Sequence, residues 1–425
     1  MHAMGWKSVI VIAALDFAAA PTRAQDYDWG PLGSGMNNTV YALTEFSGEL
    51  VAGGSFTTAG GVTCNRIARW DGGTWQGLGS GTNDWVFALT VYNNELVAGG
   101  YFVAAGGLTC KYIARWNGST WQELESGMGG NVYALTVYNN ELIAGGNFTT
   151  AGSVTCNRIA RWNGSTWQSL GSGMNDKVYS LTVYDNELIA GGRFTTAGGV
   201  TCNYIARWDG SDWQPLGSGT AGGYPWVYAL TVYNNELIAG GGFTTAGGVT
   251  CNYVARWNGS TWEPLASGTN GTALALTGYN NELTAGGYFT TAGGAACNYI
   301  ARWDGSAWQP LGSGMNAPVS ALTVYNAELI AGGGFTLGGA YGCYAHVARW
   351  FPAPDACMGD LNCDGVVDFS DINPFVLILS DYTLWQQTYP ECPCQNGDIN
   401  GDGGLGFEDI NPFVALMVQS PIPCE

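Results

Sequence analysis

One unit of sequence occurs seven times in this chain, and this repetition constrains the fold more than any other feature. The copies are marked by seven cysteines spaced 46, 46, 46, 49, 46 and 46 residues apart: Cys64, Cys110, Cys156, Cys202, Cys251, Cys297 and Cys343. The unit is clearest over residues 132–174, VYALTVYNNELIAGGNFTTAGSVTCNRIARWNGSTWQSLGSGM. A period of this length is typical of an array in which each copy is one supersecondary unit packed against its neighbours.

Each unit is predicted to form four short strands. In the fourth copy these are residues 178–183, 187–190, 204–208 and 213–216, which are rich in β-branched and aromatic residues. An Asn-Gly or Asp-Gly pair between the third and fourth strands, as at Asn163-Gly164 and Asp209-Gly210, suits the positive φ angles of a tight hairpin turn. Four antiparallel strands repeated radially predict an all-β fold, a seven-bladed β-propeller.

The two ends of the array predict that the ring is closed. The seventh copy stops after Ala348-Arg349-Trp350 and lacks its fourth strand. The missing piece, WGPLGSGM, stands at residues 29–36 and matches WQPLGSGM at residues 308–315. We therefore expect the N-terminal strand to complete blade seven, because closure protects the strand edges that an open array would expose.

The repeat resembles the kelch family over residues 26–350. A double glycine ends the second strand, an aromatic residue stands late in the third, and Trp opens the fourth, as at Gly191-Gly192, Trp208 and Trp213. The Arg-Trp-Asn/Asp-Gly turn and the Phe-Thr-Thr-Ala-Gly-Gly loop depart from the kelch pattern. The resemblance implies a seven-bladed propeller of the type found in secreted bacterial proteins, and it does not imply one activity.

The N-terminal sequence and the composition indicate where the protein is located and which partners are disfavoured. Lys7, an apolar stretch at residues 9–20 and small residues before Ala24 predict a secretory signal peptide at residues 1–24, and hence a secreted, extracellular or cell-surface protein. The apolar stretch is too short to span a bilayer. A net charge of −19 makes nucleic acid and anionic membranes poor partners. No Gly-rich loop is followed by Lys-Ser or Lys-Thr, so a phosphate-binding loop is not supported.

One cysteine and one pair of opposite charges recur in each blade, and we expect both to stabilise the fold. Equivalent cysteines in neighbouring blades are too far apart for a disulfide, so we expect small buried residues at the start of the third strand, with a redox or metal role as the alternative. Each blade also carries one Glu and one Arg, such as Glu141 and Arg161, at opposite ends of a hairpin. We expect them to form a cross-strand pair.

The C-terminal segment carries two calcium-loop patterns. Residues 355–425 contain twelve acidic residues and no Lys or Arg. Oxygen donors spaced as in an EF-hand loop occur twice, each followed by Ile-Asn-Pro-Phe-Val: Asp360, Asn362, Asp364, Val366 (carbonyl), Asp368 and Asp371, then Asp398, Asn400, Asp402, Gly404 (carbonyl) and Asp409. A glycine at position six, Gly365 or Gly403, allows the sharp turn. The sequence therefore predicts two Ca²⁺ ions.

Residues 358–420 resemble a type I dockerin, in which two loop–helix repeats each hold one calcium. The resemblance implies a small α-helical calcium domain at residues 358–425, joined by a linker at 351–357, with a cohesin-like protein as partner. At the positions where cellulosomal dockerins present small hydroxyl residues to the cohesin, this chain has Phe369-Ser370 and Phe407-Glu408. Local disulfides are expected among Cys357, Cys363, Cys392, Cys394 and Cys424.

Departures from the repeat mark a candidate ligand face on the propeller. The loops from strand four to strand one and from strand two to strand three differ most between copies, and one carries a three-residue insertion at residues 221–226. The departing residues are Trp85, Tyr224, Trp226, Tyr341, Tyr344 and His346. Exposed aromatic rings suit sugar stacking or protein recognition, and packing between blades is the alternative.

Three functions remain open from the sequence. The first is a secreted, non-catalytic interaction protein whose propeller binds a glycan or a protein. The second is an extracellular glycosidase acting through a pair of carboxylates; copper-oxidase and His-rich zinc chemistry lack ligands, because His346 is the only histidine after residue 24. The third is a purely structural surface protein. No catalytic residue is assigned.

Overall fold

The computed structural model describes residues 27–336, 345–352, 361–362, 366–367, 369–389, 409–417 and 422–423. The predicted signal peptide at residues 1–24 lies outside them. No helix in these ranges is both long and apolar enough to cross a bilayer.

The blades are four-stranded antiparallel sheets, as the sequence predicts, and seven of them occur within the described ranges. Their strands in sequence order within each sheet are Val40–Phe46, Glu49–Gly54, Ile67–Trp70 and Trp75–Gly77 (blade one); Val86–Tyr92, Glu95–Gly100, Ile113–Trp116 and Trp121–Gln122 (two); Asn131–Tyr138, Glu141–Asn147, Ile159–Trp162 and Trp167–Ser169 (three); Val178–Tyr184, Glu187–Gly192, Ile205–Trp208 and Trp213–Pro215 (four); Val227–Tyr233, Glu236–Gly241, Val254–Trp257 and Trp262–Pro264 (five); Ala273–Tyr279, Glu282–Gly287, Ile300–Trp303 and Trp308–Pro310 (six); and Val319–Tyr325, Glu328–Gly333 and Val347–Pro352, with Tyr27–Pro31 as the fourth strand (seven).

The ring is closed by the N-terminal strand. Tyr27–Pro31 pairs antiparallel with Val347–Pro352, and Trp29 lies opposite Trp350. The first strand of every blade contacts the first strands of both neighbouring blades, blade seven with blade one included, so these strands surround the central axis. Val347–Pro352 runs two residues beyond the predicted propeller boundary at 350, because the N-terminal strand supplies pairing partners that far.

Glycine sets the spacing between neighbouring blades. A Cβ atom on Gly53, at the end of the second strand, would lie 2.6 Å from Val86 Cγ1 in the next blade. Real Cβ atoms do not approach other atoms so closely, so the seam between blades requires glycine there. The other six seams have the same arrangement, although blade six presents Ala273 in place of valine, at 3.1 Å.

The turns differ from the prediction in one respect. Positive φ angles occupy both central residues of the turn between the first and second strands, as at Asn93 and Asn94 with φ of 50° and 61°. In the predicted Asn163-Gly164 turn only the glycine has positive φ. The Asn163 side chain instead accepts hydrogen bonds from the Ser165 and Thr166 backbone N–H groups, which fixes a wider turn.

The loop between the second and third strands is more ordered than the sequence indicated. In blades one to six it folds back as a hairpin of two-residue strands: Thr58–Ala59 with Val62–Thr63, Ala104–Ala105 with Leu108–Thr109, Thr150–Ala151 with Val154–Thr155, Thr196–Ala197 with Val200–Thr201, Thr245–Ala246 with Val249–Thr250, and Thr291–Ala292 with Ala295–Ala296. In blade five, Thr220–Ala221 adds a third strand. We name the side of the ring that carries these loops the mouth face, and the opposite side the turn face.

The repeated cysteines and ion pairs behave as predicted. The six described blade cysteines, Cys64, Cys110, Cys156, Cys202, Cys251 and Cys297, are free and buried, and Cys343 lies outside the described residues. Each blade has its Arg–Glu pair on the turn face, with distances of 3.0 to 3.8 Å. Arg161 lies diagonal to Glu141 rather than directly opposite, since its register partner is Ile143.

In the described part of the C-terminal segment there are three short helices. They are α1 (Ile372–Ser380), preceded by a 3₁₀ turn at Phe369–Asp371, α2 (Tyr382–Thr388) and α3 (Ile410–Met417), and Val366–Val367 pairs with Ile422–Pro423. Phe375 of α1 and Phe413 of α3 stack with ring centroids 4.0 Å apart. The Gln386 side chain of α2 donates a hydrogen bond to the Gly33 carbonyl, so this segment contacts the propeller.

Candidate functional site

Five aromatic side chains form a continuous arc around the mouth of the central channel. Each directly follows the first buried residue of the first strand in blades one to five: Tyr41, Phe87, Tyr133, Tyr179 and Tyr228. Consecutive ring centroids are 5.1 to 5.6 Å apart. Leu274 and Ser320 stand at this position in blades six and seven, so the arc spans five blades. We name this group the aromatic arc.

A β-bulge explains why these side chains share one surface. In blade four, Val178 and Ser180 are buried and pair with Gly192 and Gly191, so Tyr179 between them has no partner in the second strand. The same register shift occurs in each first strand, and a bulge re-aims the side chain of its extra residue, here toward the first strands around the axis. The arc rings are half-buried, because each covers part of the next one.

Three of the predicted ligand residues extend the arc outward. Trp85 packs against Tyr41 and Phe87 at centroid distances of 6.1 and 6.0 Å, and 43% of its surface is exposed. Trp226 meets Tyr228 edge to face at 6.2 Å. Tyr224 lies 5.6 Å from Trp226 and is 73% exposed. The insertion at residues 221–226 thus builds one end of an aromatic surface, and Trp85 lies toward the other end.

Of the remaining predicted ligand residues, the structure describes His346, which contacts the backbone of its own blade. His346 is half-buried with φ of 69°, its backbone N–H donates to the Phe335 carbonyl, and its Nδ1 lies 3.1 Å from the Gly333 carbonyl oxygen. Burial lowers the pKa of the His346 imidazole, so it is neutral at neutral pH. These contacts give it a backbone-supporting position in blade seven. Tyr341 and Tyr344 lie outside the described residues.

Charged groups stand beside the Trp226 end of the surface. The Arg193 guanidinium lies over the Trp226 ring, 4.8 Å from its centroid, and its Nε is 3.2 Å from Asp176 Oδ2. Burial, together with the nearby Tyr228 and Tyr133 hydroxyls, raises the pKa of the Tyr179 hydroxyl to about 12, and Arg193 opposes the shift. Tyr179 therefore stays protonated at physiological pH and can donate a hydrogen bond.

The sequence contained a signal for the residues that the prediction missed. The residue after the first buried residue of the first strand varies from blade one to blade seven as Tyr, Phe, Tyr, Tyr, Tyr, Leu and Ser, although its neighbours in the sequence repeat closely. Arg193 likewise departs from the residues that follow the glycine pair in other blades. Both positions fit the rule that departures from the repeat mark the ligand face. The prediction misses the tyrosines because tyrosine is common in strands and is interpreted only as a strand-forming residue.

The predicted calcium ligands are described only in part. Asp371 and Asp409 are both fully buried, each directly before a helix, and Asp371 accepts hydrogen bonds from the Leu361 and Asn362 backbone N–H groups at 2.7 and 3.1 Å. The Val366 backbone lies in the short strand. The other ligands, Asp360, Asp364, Asp368, Asp398, Asn400, Asp402 and Gly404, lie outside the described residues. Within the described ranges, no three His, Cys, Asp or Glu side chains group as a metal site.

Comparison with known proteins identifies propellers. The Rax2 C-terminal β-propeller domain model matches residues 74–223, and a β-propeller domain of unknown function (DUF5122) matches residues 47–70. No curated protein matches.

Among solved structures, the extracellular domain of the one-component system BT4673 from B. thetaiotaomicron is similar, with a TM-score of 0.53, 13% identity and 76% of this chain covered; the match spans 40% of that protein's chain. The WD40 propeller of Doa1 is similar with a TM-score of 0.52 and 12% identity. The match covers 78% of this chain and 98% of the Doa1 chain. At these identities the likeness concerns the fold alone. This chain is thus similar to β-propellers of several kinds.

Proposed function

We propose that this protein is a secreted, non-catalytic binding protein whose propeller takes a glycan on the aromatic surface of the mouth face. The observation that carries the proposal is the aromatic arc with its outward extensions at Trp85 and Trp226. The C–H faces of sugar rings are apolar and stack on aromatic planes, while their hydroxyls need polar neighbours. Aromatic side chains offer such planes at low cost in conformational entropy.

Polar groups border the arc where sugar hydroxyls would lie. Asn131 Nδ2 donates to the Tyr133 hydroxyl at 3.1 Å, and Arg193 and Asp176 stand beside Trp226. Apolar planes with a few placed polar groups are the usual composition of a small-ligand site. A protein partner would also use exposed aromatic residues, but a half-buried arc around a channel suits a narrow chain better than a broad protein surface.

The two other functions have less support. The repeated Glu carboxylates, which a glycosidase would need in a catalytic pair, lie on the turn face, and each is paired with an arginine. A purely structural protein gains nothing from leaving Trp85 and Tyr224 largely exposed. The kelch-like classification of the seven-bladed ring accounts for the repeats, and it is compatible with a binding role.

For residues 358–425 we propose a dockerin-like module that holds two calcium ions. The buried carboxylates Asp371 and Asp409 stand at equivalent places, and the stacked Phe375 and Phe413 relate the two helices they precede. Carboxylate and carbonyl oxygens are the donors that Ca²⁺ prefers, and the ion would neutralise this acidic segment. Ile372 and Val376 on α1, with Ile410 and Val414 on α3, leave a duplicated apolar surface for docking to a cohesin-like protein.

A glycan array probed with the whole protein tests the binding proposal. We expect defined oligosaccharides to bind, and Trp226→Ala or Trp85→Ala to weaken them by about 2 kcal/mol, roughly 30-fold, as at a hot-spot residue. Tyr184→Ala is the control, since Tyr184 ends the same strand as Tyr179 on the turn face. Unchanged melting curves show that the variants fold. An array without any ligand, or equal losses in all three variants, would refute the proposal.

A further inference from the structure

The positive charges of the propeller are divided unevenly between its faces. Residues 27–352 contain twelve Lys or Arg. Seven are the arginines that pair with the repeated Glu residues on the turn face. The other five are all in loops of the mouth face: Arg66, Lys111, Arg158, Lys177 and Arg193. A chain with a net charge of −19 thus concentrates its spare cations on the aromatic side.

Few carboxylates oppose these cations. The mouth-face loops carry four, Asp84, Glu123, Glu125 and Asp176, against five cations, whereas the rest of residues 27–352 carries fifteen carboxylates against seven arginines. The loop at residues 337–344 adds no charged residue. Away from Gly33, where the acidic C-terminal segment contacts the propeller, the mouth-face loops are therefore locally positive on a strongly acidic protein, and such a local field attracts anions.

Two of the five cations stand at the aromatic surface itself. Arg193 lies over Trp226 and is 46% exposed, and its contact to Asp176 uses Nε. Lys177 holds the repeat position of Trp85 and Trp226, directly before the first strand of its blade, and its backbone N–H donates to Asp176 Oδ1 at 2.8 Å. Asp176 is 37% exposed, so its pairing with Arg193 is weak in water. Arg193 and Lys177 against the one carboxylate of Asp176 leave a net positive charge at this end of the surface.

We infer, on the basis of the proposed function, that the glycan is acidic. Its sugar ring stacks on Trp226, and its carboxylate or sulfate group binds Arg193 and Lys177. Guanidinium groups match the geometry of carboxylates and sulfates, and a stacked guanidinium is held in place for that contact. A uronic acid and a sulfated sugar offer the same chemistry, which the experiment separates.

Binding of matched polymers to the full protein tests this inference. Polygalacturonate is compared with its carboxyl-reduced, neutral form, and dextran sulfate with dextran, by calorimetry. We expect one acidic polymer to bind at least about tenfold more tightly than its neutral counterpart, and this difference to shrink as salt rises from about 50 to 500 mM. The polymer that shows the difference identifies carboxylate or sulfate.

The variants separate a local contact from net charge. Arg193→Gln and Lys177→Gln should each weaken the acidic polymer about tenfold, a larger loss than either variant causes for the neutral polymer. Arg161→Gln removes the same charge on the turn face and should have no effect. Equal affinity for acidic and neutral polymers, still dependent on Trp226, would overturn this inference and leave the proposed function standing. Polyglutamate that binds as tightly and survives Trp226→Ala would also overturn it.

Discussion

Replacing Trp29 by alanine tests whether the N-terminal strand holds the ring closed. The Trp29 ring is 1% exposed, lies 5.3 Å from the Trp350 ring, and donates its Nε1–H to the Leu311 carbonyl at 3.2 Å. Truncating a buried tryptophan costs about 3–5 kcal/mol, to which the lost hydrogen bond contributes about 1 kcal/mol. We take about 4 kcal/mol as the loss.

The loss falls on a strand that no turn joins to its pairing partner. Tyr27–Pro31 is linked by residues 32–39 to blade one, so the weakened strand can leave blade seven without unfolding other blades. Its partner, Val347–Pro352, would then become a sheet edge. If this opening is local, about 4 kcal/mol corresponds to roughly a thousandfold faster hydrogen exchange at those amides of residues 347–351 that bond to Tyr27–Pro31 rather than to Glu328–Gly333.

Trp213→Ala is the matched control for this experiment. Trp213 has the same place in blade four, is 1% exposed, and donates to the Leu170 carbonyl at 3.1 Å. Its strand is joined by a turn to its own partner and does not touch blade seven, so the exchange of residues 347–351 should not change. Protection at these residues that survives Trp29→Ala, or falls equally in both variants, would refute closure by the N-terminal strand.

Three further properties can be measured directly. Calorimetry should show about two calcium ions bound, both lost in the double variant Asp364→Ala with Asp402→Ala; binding that persists would contradict the calcium sites. The six buried cysteines should not react with a thiol reagent until the protein unfolds, because burial raises their thiol pKa values, that of Cys156 to about 11; fast labelling of the native protein would contradict their burial. Hydrogen bonds from backbone N–H groups lower the pKa values of the turn carboxylates Asp71, Asp209 and Asp304, so their contribution to stability is present above the unfolded pKa of about 3.9 and is lost as pH falls below it. Replacing these three by Asn, which other blades carry there, should make the melting temperature less sensitive to acid, and an unchanged pH profile would contradict this assignment.

The period and the chain ends were sufficient to predict the architecture. Seven copies of one unit predicted four-stranded blades, and the stray WGPLGSGM predicted the pairing of Tyr27–Pro31 with Val347–Pro352. These features follow from local patterns, because each blade is built from residues close together in sequence. The Glu141–Arg161 pair was predictable for the same reason, as two ends of one hairpin.

The candidate site was predictable only in part. Trp85, Tyr224 and Trp226 stood out as departures from the repeat, and the structure brings them to one surface. Tyr179 and its equivalents did not stand out, because a strand pattern says which side chains alternate and not which side meets the axis. Arg193 reaches Trp226 from the neighbouring blade, a contact that depends on how two sheets pack. His346 also departs from the repeat, yet it supports the backbone of its own blade.

The seam between blades bears on how such an array can grow. Each unit carries both halves of the contact: a glycine such as Gly53 that receives the next blade, and a valine such as Val86 that enters the previous one. A tandem duplicate of any unit therefore fits its neighbours from the moment it arises. Later change at the seam is constrained from both sides, since a larger residue at the glycine needs a smaller one in the adjoining copy. Ala273 already provides that smaller partner opposite Gly240, so the junction between blades five and six is the one where the repeats can diverge first.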